Sequence, residues 1–371
     1  MKKYFGIIFS IIIIVFSVLF IVTPKEEFSE NENRYLVDFP TFNLDTLADG
    51  SFMTDFEKYV QDHFPFRKAF VSIKTNSELA MGKTENNNVY IAADGYLIEK
   101  NTYVDEKRLT RIASMFNQIT KGTSYKTTVM ITPTSITVNS RLLPAFATEY
   151  SELDRINTIY SKLENCNKIE LYEQLKKLNE QGIQAYYKLD HHWTTRAAYE
   201  AYTAFMNANN MEALDLTSFK EEVVTDSFYG TTYSKANLYN VKPDTITTYT
   251  NPNYTFKLTY AKTGKTTNSF YNTEYLDKKD KYAMFLDENQ ELVVIENGTK
   301  TSGENLLVIK DSYANCFIPF VACNFKTTHV IDPRYYVGSI TDYIKENNIT
   351  QVLILYNIHT LVTDQGVFNI K

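Results

Sequence analysis

The sequence predicts an α/β protein with a mainly parallel sheet, carried behind an N-terminal transmembrane helix and interrupted by a β-rich insertion. Three features predict it. An uncharged run opens the chain, strand-like and helix-like segments then alternate, and from about Leu214 to Gly303 the texture changes to alternating Thr, Tyr, Asn and Lys. The 371 residues, 44% hydrophobic and 14% aromatic, suffice to bury one large domain or two modest ones.

The opening run is Phe5 to Val22, 18 residues interrupted only by Gly6, Ser10 and Ser17. At 1.5 Å per residue it nearly spans the roughly 30 Å hydrocarbon core. Lys2 and Lys3 precede it, which places the N-terminus in the cytoplasm and everything after Thr23 outside the cell membrane. The run exceeds a signal-peptide core and no A-x-A-like site follows "FIVTPKEEF", so an uncleaved single-pass anchor is expected over residues 1–23. A polar juxtamembrane spacer, 24–50, leads to an extracytoplasmic domain, 51–371.

Within that domain, Phe56, Val60 and Phe64 recur at helical spacing until Pro65 breaks the helix, and His63 reads as packing at its end. "NNVYIAADGYLIEK" is two short strands around an Asp94-Gly95 turn. Helical spacing covers Lys107–Ile119, "KTTVMITPTS" is a buried strand, and helices follow over Glu152–Leu163 and Leu171–Gln181. An antiparallel β-rich insertion on the main sheet is expected over 214–303. The strand and helix rhythm returns with strands Leu306–Ile309, Thr328–Ile331 and Gln351–Tyr356. Cys316 and Cys323 would share one face of a helix after the first of these, and they read as small core residues.

A formal charge of -6 gives no basic surface for phosphate, so nucleic acid is not an expected partner. The chemistry concentrates in two places. "LLVIKDSYANCFIPFV" ends a strand in Lys310-Asp311-Ser312 just before helical residues, and the carboxyl end of a parallel strand is where ligands bind. Ser312 there is either a nucleophile or part of a helix cap. "YYKLDHHW" supplies an acid two residues before His192, and in an extended segment Asp190 and His192 point one way and His191 the other. Trp193 reads as packing that fixes the loop. Asp332-Pro333-Arg334 and Asn357 end the two later strands, so Arg334 and Asn357 reach the same rim, Asn357 either as an oxyanion donor or as a turn residue. A catalytic zinc needs three protein ligands, and the remaining histidines are isolated, so neither metal nor cofactor is expected.

The "DHHW" of Asp190 to Trp193, with "NNVYIAADGYLIE", "FPFR" and "DSYAN", resembles the bacterial DHHW-motif family, similar in turn to the SGNH-like acetylation proteins of alginate biosynthesis. The resemblance runs from about Asn31 to Tyr356 and is weakest across the insertion. It implies an SGNH-like three-layer sandwich with circularly permuted motif order, because the D-x-H-W motif precedes the serine motif. It implies Ser312 as nucleophile, His192 as base, Asp190 as its orienter, and the Ser312 N–H with Asn357 as oxyanion donors. The second-block glycine has no counterpart, and "DPRYYVG" offers Arg334 or Gly338 in its place.

The implied activity is serine O-acetyl transfer to an extracytoplasmic polysaccharide, with the acetyl group brought through the membrane by a separate multi-pass acyltransferase. A carbohydrate acetylesterase would use the same residues. A non-catalytic polysaccharide-binding or assembly protein would not need them. The tyrosines of "AYYK" and "PRYY" near the proposed site read either as stacking surfaces for sugar rings or as core and interface packing.

Overall fold

The structure is a computed structural model that describes residues 2–29, 34–122, 124–238 and 241–370; residues 30–33 of the expected spacer lie outside it. The described chain divides into two compact units, 1–87 with 233–241, and 88–232 with 242–371. Residues 51–87 thus group with the N-terminal segment.

In the first unit, helix α1 is Lys2–Val22, and its Tyr4–Val22 portion is long and apolar enough to cross a membrane, compatible with an anchor or a signal sequence. Helix α2 (Ser51–Asp62) stops before Pro65, whose missing N–H cannot continue it. Phe66, at a left-handed φ of 59°, turns the chain into helix α3 (Arg67–Ala80).

In the second unit, strands Val89–Ile91 and Leu97–Glu99 form the expected hairpin. Asp94 and Gly95 close it with φ of 57° and 78°, conformations that Gly and Asp tolerate and a β-branched residue resists. Helix α4 (Glu106–Thr120) leads into the main sheet. Its strands are β1 (Lys126–Thr132), β2 (Asn167–Ile169), β3 (Phe256–Tyr260), β4 (Thr266–Thr267), β5 (Leu292–Asn297), β6 (Asn305–Lys310), β7 (Thr327–Ile331) and β8 (Gln351–Asn357). Among the described residues the order is β4-β3-β5-β7-β6-β8-β1-β2. Strands β7, β6, β8, β1 and β2 run parallel, whereas β3, β4 and β5 extend the edge antiparallel. The region 214–303 therefore completes the main sheet as well as adding a separate antiparallel pair, Lys220–Phe228 with Asp244–Thr250.

Strand β6 explains why its sequence reads as an unbroken apolar run. Leu306 and Val308 pack into one buried cluster, with Met130, Leu353 and Leu355, under helix α5 (Thr195–Ala208). Leu307 and Ile309 pack into another on the opposite face, with Val129, Val352 and Ile354, under α4. A parallel strand covered on both sides has no solvent face to alternate with.

After β6 the expected single helix is absent. Ser312–Cys316 is a 3-10 turn and Ile318–Val321 one further helical turn, with Pro319 at its start unable to donate a backbone hydrogen bond. Cys316 and Cys323 are nonetheless both buried.

Candidate active site

The parallel register sets three polar strand ends side by side. Ile309 pairs with Ile331 on one side, and Lys310 pairs with Leu355 on the other. Asp311, Asp332 and Asn357 therefore lie along one rim, the carboxyl edge of the sheet, with Ser312 just beyond the central strand.

Asp311 is the cap of the Ser312–Cys316 turn, its Oδ1 accepting from the Tyr313 N–H at 2.9 Å. Its other oxygen accepts from the backbone N–H and the side-chain amide of Asn357 at 2.8 and 2.7 Å. The helix-cap role thus belongs to Asp311. The hydroxyl of Ser312 is left outside it, and among the described residues the Ser312 N–H, first in the turn, donates no loop or cap backbone hydrogen bond.

The Tyr186–Trp193 segment is not extended. An antiparallel bridge between Tyr186 and Trp193 closes it into a loop, and Asp190 Oδ1 accepts the N–H of His192, two residues on, at 2.9 Å, the local bond that Asp side chains favour in turns. Asp190 and His192 meet as expected, but the opposite facing expected of His191 fails. The His191 ring lies beside that of His192, centroids 3.8 Å apart, rather than on an opposite face. The hairpin holds this loop from outside, through Leu97 N–H to Lys188 O at 2.7 Å and Lys188 Nζ to Asp94 O at 2.7 Å.

His192 Nδ1 lies 2.6 Å from Asp190 Oδ1, and its Nε2 lies 2.8 Å from Ser312 Oγ. A carboxylate only accepts, so Nδ1 carries the proton and Nε2 accepts from the Ser312 hydroxyl. Asp190 Oδ2 accepts from the Thr231 N–H and hydroxyl at 2.8 and 2.9 Å. Thr231 Oγ1 therefore accepts in turn from His191 Nδ1, 2.6 Å away. The Tyr282 ring stacks on His192, centroids 3.6 Å apart at 9°, and its hydroxyl donates to the Ser312 carbonyl at 3.1 Å. Trp193, fully buried, donates from Nε1 to the Tyr313 carbonyl at 2.8 Å, and the Tyr313 hydroxyl bonds the His191 carbonyl.

Burial, reinforced by His191, pushes His192 down to about 4 against the opposing pull of Asp190. Burial would raise the Asp190 carboxyl, but the two imidazoles and the donors from His192 and Thr231 outweigh it and hold it well below the usual carboxylate range. At neutral pH the pair is a neutral imidazole beside a carboxylate, which is the resting state a general base requires.

Arg334 and Asn357 reach the rim but are already engaged. The Arg334 guanidinium forks onto Asp332, Nε to Oδ1 at 2.9 Å and one terminal nitrogen to Oδ2 at 2.6 Å. Fully buried Lys310 joins them, 3.3 Å from Asp332 Oδ2 and 2.8 Å from Asn289 Oδ1. The Asn357 amide donates to Asp311 and, at 2.8 Å, to Thr360 Oγ1, while its oxygen accepts the Thr360 N–H. Gly338 is exposed beside its own neighbour Tyr336. Ligand atoms of Asp190, His191 and His192 lie within 4.8 Å of one another, yet both ring nitrogens of His192 and both oxygens of Asp190 are taken up in the hydrogen bonds above.

A cavity of about 220 Å³ opens beside this chain of groups. Leu97, Glu99 and Asn101 line it from the hairpin, Thr134, Ser135 and Ile136 from the loop after β1, and Asp190, His191, Thr231, Tyr313, Asn357 and His359 from the remaining sides. Buried Glu152 holds the loop after β1, accepting from the Thr134 N–H and hydroxyl and the Thr137 hydroxyl at 2.7, 2.8 and 2.9 Å.

Thr231, Gly230 and Tyr282 are contributors that the sequence did not reveal. They come from the Thr- and Tyr-rich region, where no periodicity distinguishes them. A Cβ added at Gly230 would stand 2.3 Å from Asp190 Cβ and Oδ2, so only glycine lets the loop approach this closely.

The family profile described as "DHHW protein" matches residues 73–331. The chain belongs to the DHHW family. No curated protein matches it. Among solved structures it is similar to a DHHW family protein from Eubacterium siraeum DSM 15702, at 27% identity and a TM-score of 0.65, over 77% of this chain and 96% of that one. It is also similar to Bacillus cereus PatB1 with a sulfonyl adduct, at 22% identity and a TM-score of 0.62, over 76% and 99% of the two chains, a likeness that bears on fold. The O-acetyltransferase domain of Pseudomonas putida AlgJ follows at 14% identity and a TM-score of 0.47, over 75% and 93%.

Proposed function

We propose that this DHHW-family chain is a membrane-anchored, extracytoplasmic serine O-acetyltransferase that modifies a polysaccharide through an acetyl-Ser312 intermediate. The observation that carries the reading is the 2.8 Å approach of His192 Nε2 to Ser312 Oγ, with Asp190 behind the imidazole at 2.6 Å. Nucleophile, base and orienter then stand in the relationship that acyl transfer uses. The order of Asp190 and His192 before Ser312 supports a circularly permuted SGNH arrangement.

In the first half-reaction His192 Nε2 takes the Ser312 hydroxyl proton as Oγ bonds the acetyl carbon. The negative charge on the carbonyl oxygen is met by the Ser312 N–H, and Asn357 becomes a second donor when the oxyanion displaces Thr360 from its amide. Collapse breaks the bond to the donor's leaving oxygen, which receives the proton from His192. In the second half-reaction a sugar hydroxyl gives its proton to Nε2 and attacks the acetyl carbon, and Ser312 leaves reprotonated. Arg334, held by Asp332, acts as a fixed positive charge behind the site.

The resemblance carried by "DHHW", "FPFR" and "DSYAN" supports acetyl as the group and a polysaccharide as the acceptor. The apolar N-terminal helix supports a single-pass anchor, and the family resemblance alone supports a multi-pass membrane acyltransferase that delivers the acetyl group. The test is to supply p-nitrophenyl acetate with and without glycan oligosaccharides and follow the acetyl group. Acetyl on the sugar, lost in Ser312→Ala, is expected. Release to water alone would instead make the chain an acetylesterase, and no turnover above Ser312→Ala would favour a binding protein.

A further inference from the structure

We infer that the corner between α2 and α3, Phe64-Pro65-Phe66, is a second membrane contact that dips into the outer lipid leaflet beside α1. The inference rests on α1 spanning the membrane as proposed above. Inside the first unit the Phe16 ring of α1 stacks on Phe64, centroids 5.4 Å apart at 12°, and lies 6.1 Å from Phe70. Phe20 meets Tyr59 edge-on at 6.0 Å.

These contacts fix depth. Lys25 folds back so that its ammonium lies 3.7 Å from the Phe20 ring, which marks the polar boundary near that level. Phe16 is four residues deeper than Phe20 and six deeper than Val22, or about 6 to 9 Å along a helix that rises 1.5 Å per residue. Groups touching Phe16 share its depth, and about 5 to 10 Å is where interfacial helices bury their apolar faces.

The exposed surface of the corner suits that medium. Phe66, Phe70 and Ile73 follow i, i+4, i+7 spacing along α3 and are 64%, 47% and 62% exposed. A stripe of exposed apolar side chains in water is unfavourable, whereas aromatic rings at the lipid–water boundary are a recurrent feature of membrane proteins. Nearby charges are tied to one another. Arg34 forks onto Asp62 at 2.8 and 2.6 Å, and Lys68 meets Glu26 at 3.1 Å, groups suited to the headgroup zone.

The experiment uses the full chain in phosphatidylcholine vesicles, with and without bromine on the lipid acyl chains. Trp193 is the chain's one tryptophan and is fully buried, so the wild type supplies the background. Phe66→Trp and Ile13→Trp each add one reporter. Both are expected to lose emission beyond the wild-type loss, Phe66→Trp most with bromine near the headgroup end and Ile13→Trp most with bromine near the chain ends. If Ile13→Trp is quenched and Phe66→Trp keeps the emission of a water-exposed or protein-covered indole, the second contact is refuted while the anchor stands. If neither is quenched, the anchor reading fails and this inference with it.

Discussion

His192 and Ser312, 120 residues apart in the chain, meet with Nε2 2.8 Å from Oγ. That approach depends on a loop closed by the Tyr186–Trp193 bridge and on a turn capped by Asp311 at the end of a central strand. If the two side chains act as base and nucleophile, Ser312→Ala and His192→Ala should each lower turnover of an acetyl ester by on the order of 10⁴ to 10⁶-fold, and the double variant little further. Steady-state rates with p-nitrophenyl acetate check this; independent, multiplying losses would mean that the two do not work as one unit.

Gly230→Ala tests whether the position of Asp190 matters. The added methyl group would meet Asp190 at 2.3 Å, and a displacement near 1 Å typically costs about 10²-fold in rate. A kcat fall of that order is expected, together with a stability loss of about 1–3 kcal/mol from the overpacked contact. An unchanged kcat would show that Asp190 is not needed where it stands.

The pH dependence has a definite sign. Burial pushes His192 down to about 4, and an imidazole can serve as a base only when neutral. Activity should therefore stay level on acidification below the ordinary histidine value of about 6.5 and fall as the pH drops through about 4. Stability follows the same direction, because the unfolded chain takes up its proton near 6.5 and the fold only near 4, so this contribution weakens as pH falls between them. A kcat/KM profile with an acid limb near 6.5 would contradict this.

Trp193→Phe removes the N–H that satisfies the Tyr313 carbonyl and leaves a small void in a fully buried position. A destabilisation of about 1–3 kcal/mol is expected from the lost hydrogen bond and the void together, the Cys316 thiol remaining on that carbonyl, measurable in urea. Because Tyr313 adjoins Ser312, kcat should fall as well, while Trp193→Phe at a merely peripheral site would move stability alone.

Much of this was legible in the sequence. Strands β6 and β8 are buried on both faces and so read as unbroken apolar runs, and helices with clear periodicity, such as α4, emerge close to their expected ends. Asp190, His192 and Ser312 were legible because each sits in a short motif. Other parts depend on tertiary partners. Thr231, Gly230 and Tyr282 act through contacts with residues far away in the chain, which composition does not encode. His191 faces otherwise than alternation predicts because Asp190 accepts the His192 N–H and bends a segment that alternation treats as straight. Asn357 looks like a free amide until Asp311 and Thr360 are seen to hold it.

The most direct measurement is the mass of the Ser312-containing peptide after rapid acid quenching of the chain with p-nitrophenyl acetate. Acyl transfer through Ser312 predicts one added acetyl group on that peptide, absent in Ser312→Ala and discharged when an acceptor sugar is present. A peptide that stays unmodified while p-nitrophenol is released, or an acetyl group found on another residue, would contradict it.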